Sequence, residues 1–353
     1  MSQYGERIAR FRDWMEAEDL GAMLISSEAN LRWLTNYSGE GLLVIDAEGL
    51  LICTDSRYAA QAVEETQEVE VTADGAHLQQ AMDRLNECGA ARVGFERAHL
   101  SYASYEKLLG TVEDSKLVPC ADEIRHMRMV KDSDEIDRIR RAAGIADDAF
   151  RHWREALTPG VVEREAALEL HRLMVLAGAD RPSFDIIVAS GPNGAKPHAR
   201  PGSREICAGE PVVVDWGAAV DGYCSDCTRT IILGEPHRRS RELWQTVREA
   251  QITALEGLSA GMECREVDAL ARDLLRDRGW ESEFGHGLGH GVGLQVHEAP
   301  AVSQKSEDEL APGMIITIEP GVYIDGWGGV RLEELVLVTE EGASALTNAP
   351  YDL

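Results

Sequence analysis

The chain has 353 residues, 44 % of them hydrophobic, which is enough for two cores and too many for one average domain. Its formal net charge of −27 argues against a partner held through phosphates, so no nucleic acid is expected as a ligand. No run approaches the roughly 18 apolar residues of a membrane span, and the opening "MSQYGERIARFRDWMEAEDLGAM" has no apolar signal region. The reading is therefore a cytoplasmic protein with no membrane attachment.

Ile8, Phe11 and Met15 stand at helical spacing and predict an opening helix. Short strands follow at 22–26, 41–46 and 50–55, separated by the turn-rich "NYSGEG" and "DAEG". Helices are predicted over 56–66 and 76–89, then strands at 91–96 and 116–120. This alternation defines an α/β domain over residues 1–125. Next, Ile136, Ile139, Ala143, Ala146, Phe150 and Trp153 form one apolar stripe, and Asp132 with Glu135 reads as its capping box. Helices near 162–177, 238–258 and 265–278, interleaved with strands, complete a second domain over 126–353. The fold class is α/β (α+β).

The stretch "VVVDWGAAVDGYCSDCTRT" (212–230) sets two aspartates and a CxxC around Asp221-Gly222, a strong two-residue hairpin turn. With that turn as the loop, Val220 faces Tyr223 and Gly217 faces Asp226. Asp215 then lies on the same face as Asp226, a diagonal neighbour within reach. Two carboxylates that close need a proton or a cation between them. Cys224 and Cys227 point to opposite faces of such a strand, so they converge on no metal and form no easy disulfide. The seven cysteines are read as reduced thiols.

Further ligands lie downstream. "FGHGLGHGVGLQVHEAP" (284–300) sets His286, His290 and His297 in a glycine-rich stretch, where backbone can approach closely. "MIITIEPGVYI" (314–324) reads as a strand ending at Glu319. "GGVRLEELVLV" (329–338) reads as one strand, with Arg331, Glu333 and Leu335 on one face. Charges inside such strands are costly unless paired or metal-bound. Asp215, Asp226, His290, Glu319 and Glu333 together offer four carboxylates and one imidazole, whose four negative charges balance two divalent cations. That donor set suits manganese, with cobalt or zinc as alternatives. Two such ions activate water and polarise a carbonyl.

These stretches, with "SFDIIVASGPNGAKPHARP", resemble the pita-bread metallopeptidases, within them the Xaa-Pro aminopeptidases and Xaa-Pro dipeptidases (prolidases). "NLRWLTNYSGEGLLVI" and "TDSRYAAQA" are similar to the creatinase-like N-terminal domain of that group. The resemblance implies a creatinase-like domain followed by a pita-bread catalytic domain, two divalent ions per chain, proline-containing peptides as substrates, and a homodimer. By position it makes Asp215 a ligand of one metal, Asp226 and Glu333 bridging ligands, and His290 and Glu319 ligands of the other. It makes Glu319 also a proton shuttle, His198 and His297 substrate-positioning histidines, His286 a pocket-lining histidine, and Arg331 a partner of the bridging glutamate. Strand parity alone does not choose between Glu333 and its neighbour Glu334; the family register chooses Glu333. The other six histidines match no motif and are read as structural or surface residues.

The segment "NYSGEGLLVI" is closer to the aminopeptidase pattern than to the "DPHER"-like segment of typical bacterial prolidases. The sequence therefore leans to an Xaa-Pro aminopeptidase, with an Xaa-Pro dipeptidase as the alternative. A non-catalytic pita-bread binding protein and a metal-free creatinase-like enzyme are disfavoured, because the full ligand set is kept. A methionine aminopeptidase would normally lack the first domain.

Overall fold

The computed structural model describes residues 3–112, 117–121 and 123–351; Lys116, which opens the predicted strand at 116–120, lies outside them. The chain divides into two compact units, one ending at Arg128 and the other beginning at Met129.

In the first unit, the helix Gln3–Ala17 buries Phe11 and Met15, as their spacing predicts. Ile8 is only half-buried. Arg7 goes in instead, because its guanidinium donates to the Trp33 carbonyl at 2.9 Å and lies 5.0 Å from the Trp33 ring centroid. The strand Ala22–Ile25 is buried at every residue, the mark of a central strand covered on both faces. It pairs antiparallel with Leu42–Asp46 and parallel with Val93–Glu96, inside a six-stranded mixed sheet. The helix Glu28–Thr35 was not read from the sequence. It is only 8 residues long, too short for a clear period, and it ends on Asn36 in the left-handed region (φ 70).

In the second unit, the helix Ser133–Ala156 opens on the Asp132/Glu135 capping box expected from sequence. Its Phe150 stacks on Trp216, with ring centroids 4.1 Å apart and planes at 9°, and neither ring is exposed. That helix and Glu163–Leu176 cover one three-stranded sheet, in the order Cys227–Ile232, Pro211–Trp216, Ile187–Ser190. A second helix pair, Arg238–Gly257 and Cys264–Asp277, packs Val247, Ala254, Val267 and Ala271 on a five-stranded sheet through Ile316, Ile318 and Val336. No helix among the described residues is long and apolar enough to cross a membrane.

The predicted strand over 329–338 is interrupted. Gly328–Arg331 pairs with Gly321–Ile324, whereas Glu334–Thr339 pairs with Ile315–Ile318. The break falls at Leu332 and Glu333, whose amides turn to the carbonyls of Pro320 (3.3 Å) and Thr228 (3.0 Å). A period-2 pattern cannot show a strand changing partners, since side chains keep alternating across the switch.

The helix Ser133–Ala156 carries another buried acid. Asp147, 2 % exposed, accepts the Asn348 amide at 2.6 Å, and its second oxygen has no hydrogen-bond partner. Burial pushes its carboxyl up to about 6. Because the folded value lies above the unfolded one, this group favours the native state fully only below about pH 4, and that contribution is lost as pH rises through 6. Asp147→Asn should therefore be more stable than the parent at pH 8, by about 2–3 kcal/mol, with the gap closing as pH falls towards 4. Urea unfolding of both proteins across that range checks it; a gap that does not vary with pH would refute the assignment.

Candidate active site

The hairpin forms in the register read from sequence. Val220 pairs with Tyr223, Ala219 with Cys224, Trp216 with Cys227 and Asp215 with Thr228. Asp221 and Gly222 both have positive φ (49° and 80°), as a primed two-residue turn requires. Near Gly217 the ribbon pinches: a Cβ there would sit 2.0 Å from the Ser225 carbonyl oxygen, so only glycine fits. The same constraint flanks His290, where a Cβ on Gly289 or Gly291 would meet the Thr317 or Ala299 carbonyl oxygen at 1.9 Å or 2.0 Å. Those glycines let the Gly289–Gly291 strand lie close against its neighbours and fix the imidazole between them.

All nine residues singled out from the sequence line one cavity of about 430 Å³: His198, Asp215, Asp226, His286, His290, His297, Glu319, Arg331 and Glu333. Donor atoms of Asp226, His290 and Glu333 lie within 4.8 Å of one another. His290 Nε2 stands 3.6 Å from Asp226 Oδ2 and 3.3 Å from Glu319 Oε1. Thr317 ties this corner together: its hydroxyl accepts the His290 amide at 3.0 Å and donates to Glu319 at 3.3 Å. Asp215 is held from the other side by Arg331 Nη2 at 2.6 Å. His297 packs against His290, with ring centroids 4.2 Å apart, on a segment anchored by the buried Lys131–Glu298 ion pair at 2.9 Å.

Glu333 and Glu334 part company at the strand break. Glu333 enters the cavity, and its Oε2 accepts the Thr228 hydroxyl at 2.8 Å. Glu334 joins a separate buried network with Arg229 (2.9 Å), Thr347 and Tyr351 (2.6 Å).

Two side chains in this arrangement were not singled out. Tyr323 accepts from Arg331 Nη1 at 2.7 Å and lies 3.1 Å from His286 Nε2. Thr228 accepts from Arg331 Nε at 3.0 Å while donating to Glu333. The hairpin register did place Thr228 opposite Asp215, which was its available signal; for Tyr323 there was none beyond its place in "EPGVY".

The electrostatics are those of a cation site. Burial, then the charges of neighbouring carboxylates, pushes Asp226 and Glu333 far above the usual range. Burial also raises Asp215, against the pull of Arg331. Burial opposes charge on His290 and Glu319 too, but their mutual hydrogen bond and the attraction of the opposite charges around each together outweigh it, holding Glu319 at about 2 and His290 at about 9. Burial, with the positive charge of His290, lowers His297 and so disfavours its charged form. Glu333 Oε1 and Asp215 Oδ1 are buried with no hydrogen-bond partner among the described residues. Unpaired carboxylate oxygens around an imidazole, in a shell of hard donors, fit divalent cations.

Neither Cys224 nor Cys227 lines that cavity. Cys224 and Cys227 are both free and 1 % exposed, and burial raises both. Replacing both by serine should leave turnover within about threefold of the parent, since neither is assigned a chemical role. A folded double variant without activity would overturn that.

Such a constellation of buried carboxylates and histidines, on two sheets each backed by a helix pair, defines a metal-dependent hydrolase of the pita-bread fold. The family model for metallopeptidase family M24 matches residues 137–340, and that for the Creatinase/Prolidase N-terminal domain matches residues 7–130. The chain belongs to metallopeptidase family M24. It is 35 % identical to the Xaa-Pro dipeptidase of Pyrococcus horikoshii, over 100 % of both chains. Among solved structures it is similar to the Xaa-Pro dipeptidase from Bacillus anthracis, with a TM-score of 0.95, 38 % identity and 99 % of each chain covered. It is also similar to the X-Pro aminopeptidase from Thermotoga maritima, with a TM-score of 0.92, 34 % identity and 98 % of each chain covered.

Proposed function

We propose that the protein is an Xaa-Pro dipeptidase, hydrolysing the bond between a first residue and a following proline. The observation that carries this reading is the convergence of the five donor residues and three histidines on one cavity, in a chain alike over its whole length to Xaa-Pro dipeptidases. The sequence leaned to the aminopeptidase. The names of the relatives favour the dipeptidase instead, and the likeness to the Thermotoga X-Pro aminopeptidase keeps the first reading as the second choice.

In this reading Asp215, Asp226, His290, Glu319 and Glu333 would hold two divalent ions, manganese first. When bound, such ions would polarise a carbonyl and favour loss of a proton from water, giving the hydroxide that attacks it. The chain's own groups supply the rest. His198 and His297 border the same space, from which they would donate to the carbonyl oxygen as it gains charge. The leaving proline nitrogen needs a proton, since a tertiary amide carries none. Glu319, an ionised cavity carboxylate whose oxygen faces His290, would take up the proton that the attacking water gives up and pass it to that nitrogen. Arg331 spans Asp215, Thr228 and Tyr323, and so fixes one carboxylate directly and Glu333 through the Thr228 hydroxyl. Phe184, Ile186, Ile187, Pro197 and Pro201 form the apolar wall a pyrrolidine ring needs.

Exhaustive chelation should abolish hydrolysis of Ala-Pro, and Mn²⁺ or Co²⁺ should restore it. The dipeptidase reading expects Ala-Pro to be cleaved much faster than Ala-Pro-Ala. Comparable rates on both would make it an aminopeptidase, and full activity in verified metal-free protein would end the metal-dependent reading.

A further inference from the structure

The catalytic cavity adjoins a second one of about 520 Å³, and the two share Phe184, Asp185, Ile186 and Pro201. One wall of the second cavity is a single face of the helix Glu163–Leu176. Arg164, Ala167, Leu168 and His171 stand there at i, i+3, i+4 and i+7. The facing wall is the 181–186 segment, where the Arg181 guanidinium is steadied by the carbonyls of Pro182 (2.9 Å) and Ser183 (3.4 Å). Neither arginine side chain meets a carboxylate among the described residues.

This lining reverses the character of the molecule. The chain carries 62 acidic against 35 basic residues, yet here two arginines and a histidine face one aspartate. A local positive field beside a peptide-cleaving cavity draws in an anionic part of the substrate. The apolar floor formed by Ala167, Pro182 and Ile186 accepts the carbon chain that carries it. Two guanidiniums across a groove suit a planar carboxylate.

We infer that this second cavity is a carboxylate subsite, holding an acidic group that the substrate carries outside the Xaa-Pro backbone unit. The inference rests on the Xaa-Pro reading. The carboxylate has two sources: an aspartate or glutamate side chain before the proline, or the terminus of a peptide extended past it.

The test compares the parent with the Arg164→Ala/Arg181→Ala double variant on two substrate pairs, Glu-Pro with Gln-Pro and Ala-Pro-Ala with its C-terminal amide. Binding is read as KM, or as an inhibition constant against Gln-Pro where a peptide is not cleaved. The charged member of one pair should bind about fivefold more weakly in the variant, the upper end for a solvent-exposed ion pair, while its neutral partner moves less than about twofold. The Arg164→Lys/Arg181→Lys variant should recover only part of the loss, since lysine restores the charge but not the planar fork. The pair that responds identifies the source. No selective loss on either charged member, or an equal loss on charged and neutral members alike, overturns the subsite. If the unaltered enzyme cleaves neither Gln-Pro nor Ala-Pro, the Xaa-Pro reading itself fails and the subsite fails with it.

Discussion

Glu333→Gln should reduce Xaa-Pro hydrolysis by at least about 10³-fold and lower the bound metal, whereas Glu334→Gln should leave metal binding intact. Both glutamates are nearly buried, at 2 % and 6 % exposed, and they are adjacent in sequence. They differ in what they face. Glu333 has one oxygen on the Thr228 hydroxyl and one with no hydrogen-bond partner, and its carboxylate reaches within 4.8 Å of donors from Asp226 and His290. Its amide variant would keep the shape and lose the charge that a cation needs. Stabilisation of the reacting carbonyl by metal is worth several kcal/mol, hence the three decades or more. Glu334 instead accepts from Arg229, which is 1 % exposed and has the Tyr351 ring stacked 3.9 Å away. Its amide variant leaves a buried guanidinium short of its counter-charge and should cost stability, by about 3 kcal/mol or more. Metal analysis with thermal unfolding of the two variants separates these effects. Equal metal loss in both would show that the wrong glutamate has been placed in the site.

His297→Ala should lower kcat by about 10²–10³-fold, the usual effect of removing one donor to a developing oxyanion, with metal content nearly unchanged. His297 lies seven positions after His290 and packs against it with its ring tilted by 56°, yet it is not part of the tight donor group of Asp226, His290 and Glu333. It lines the cavity, where burial disfavours its charged form, and a neutral imidazole would donate one N–H there without adding positive charge. Loss of a metal equivalent in the purified variant would make His297 a ligand. Unchanged kinetics would make it structural.

Much of this site is legible in the sequence alone. Asp221-Gly222 dictated a two-residue turn, the turn dictated the register, and the register put Asp215 and Asp226 on one side of a ribbon. These are local consequences of backbone geometry, so a sequence carries them in full. The helix Ser133–Ala156 was legible for the same reason, since its cap and stripe lie within one segment. The stretches holding His290, Glu319 and Glu333 were recognisable one by one, but their convergence was inferred from charge balance and family resemblance. Only the tertiary structure decided what depends on contacts between distant segments. It broke the strand at Leu332 and Glu333, because two different partners claim the backbone on either side. It sent Glu333 inward and Glu334 to Arg229, a choice that parity leaves open once the alternation is interrupted. It brought Tyr323 and Thr228 onto Arg331, and it laid Arg164 and Arg181 along the neighbouring cavity. Periodicity tells which face of an element is buried; which remote side chains meet there is set by how the elements pack.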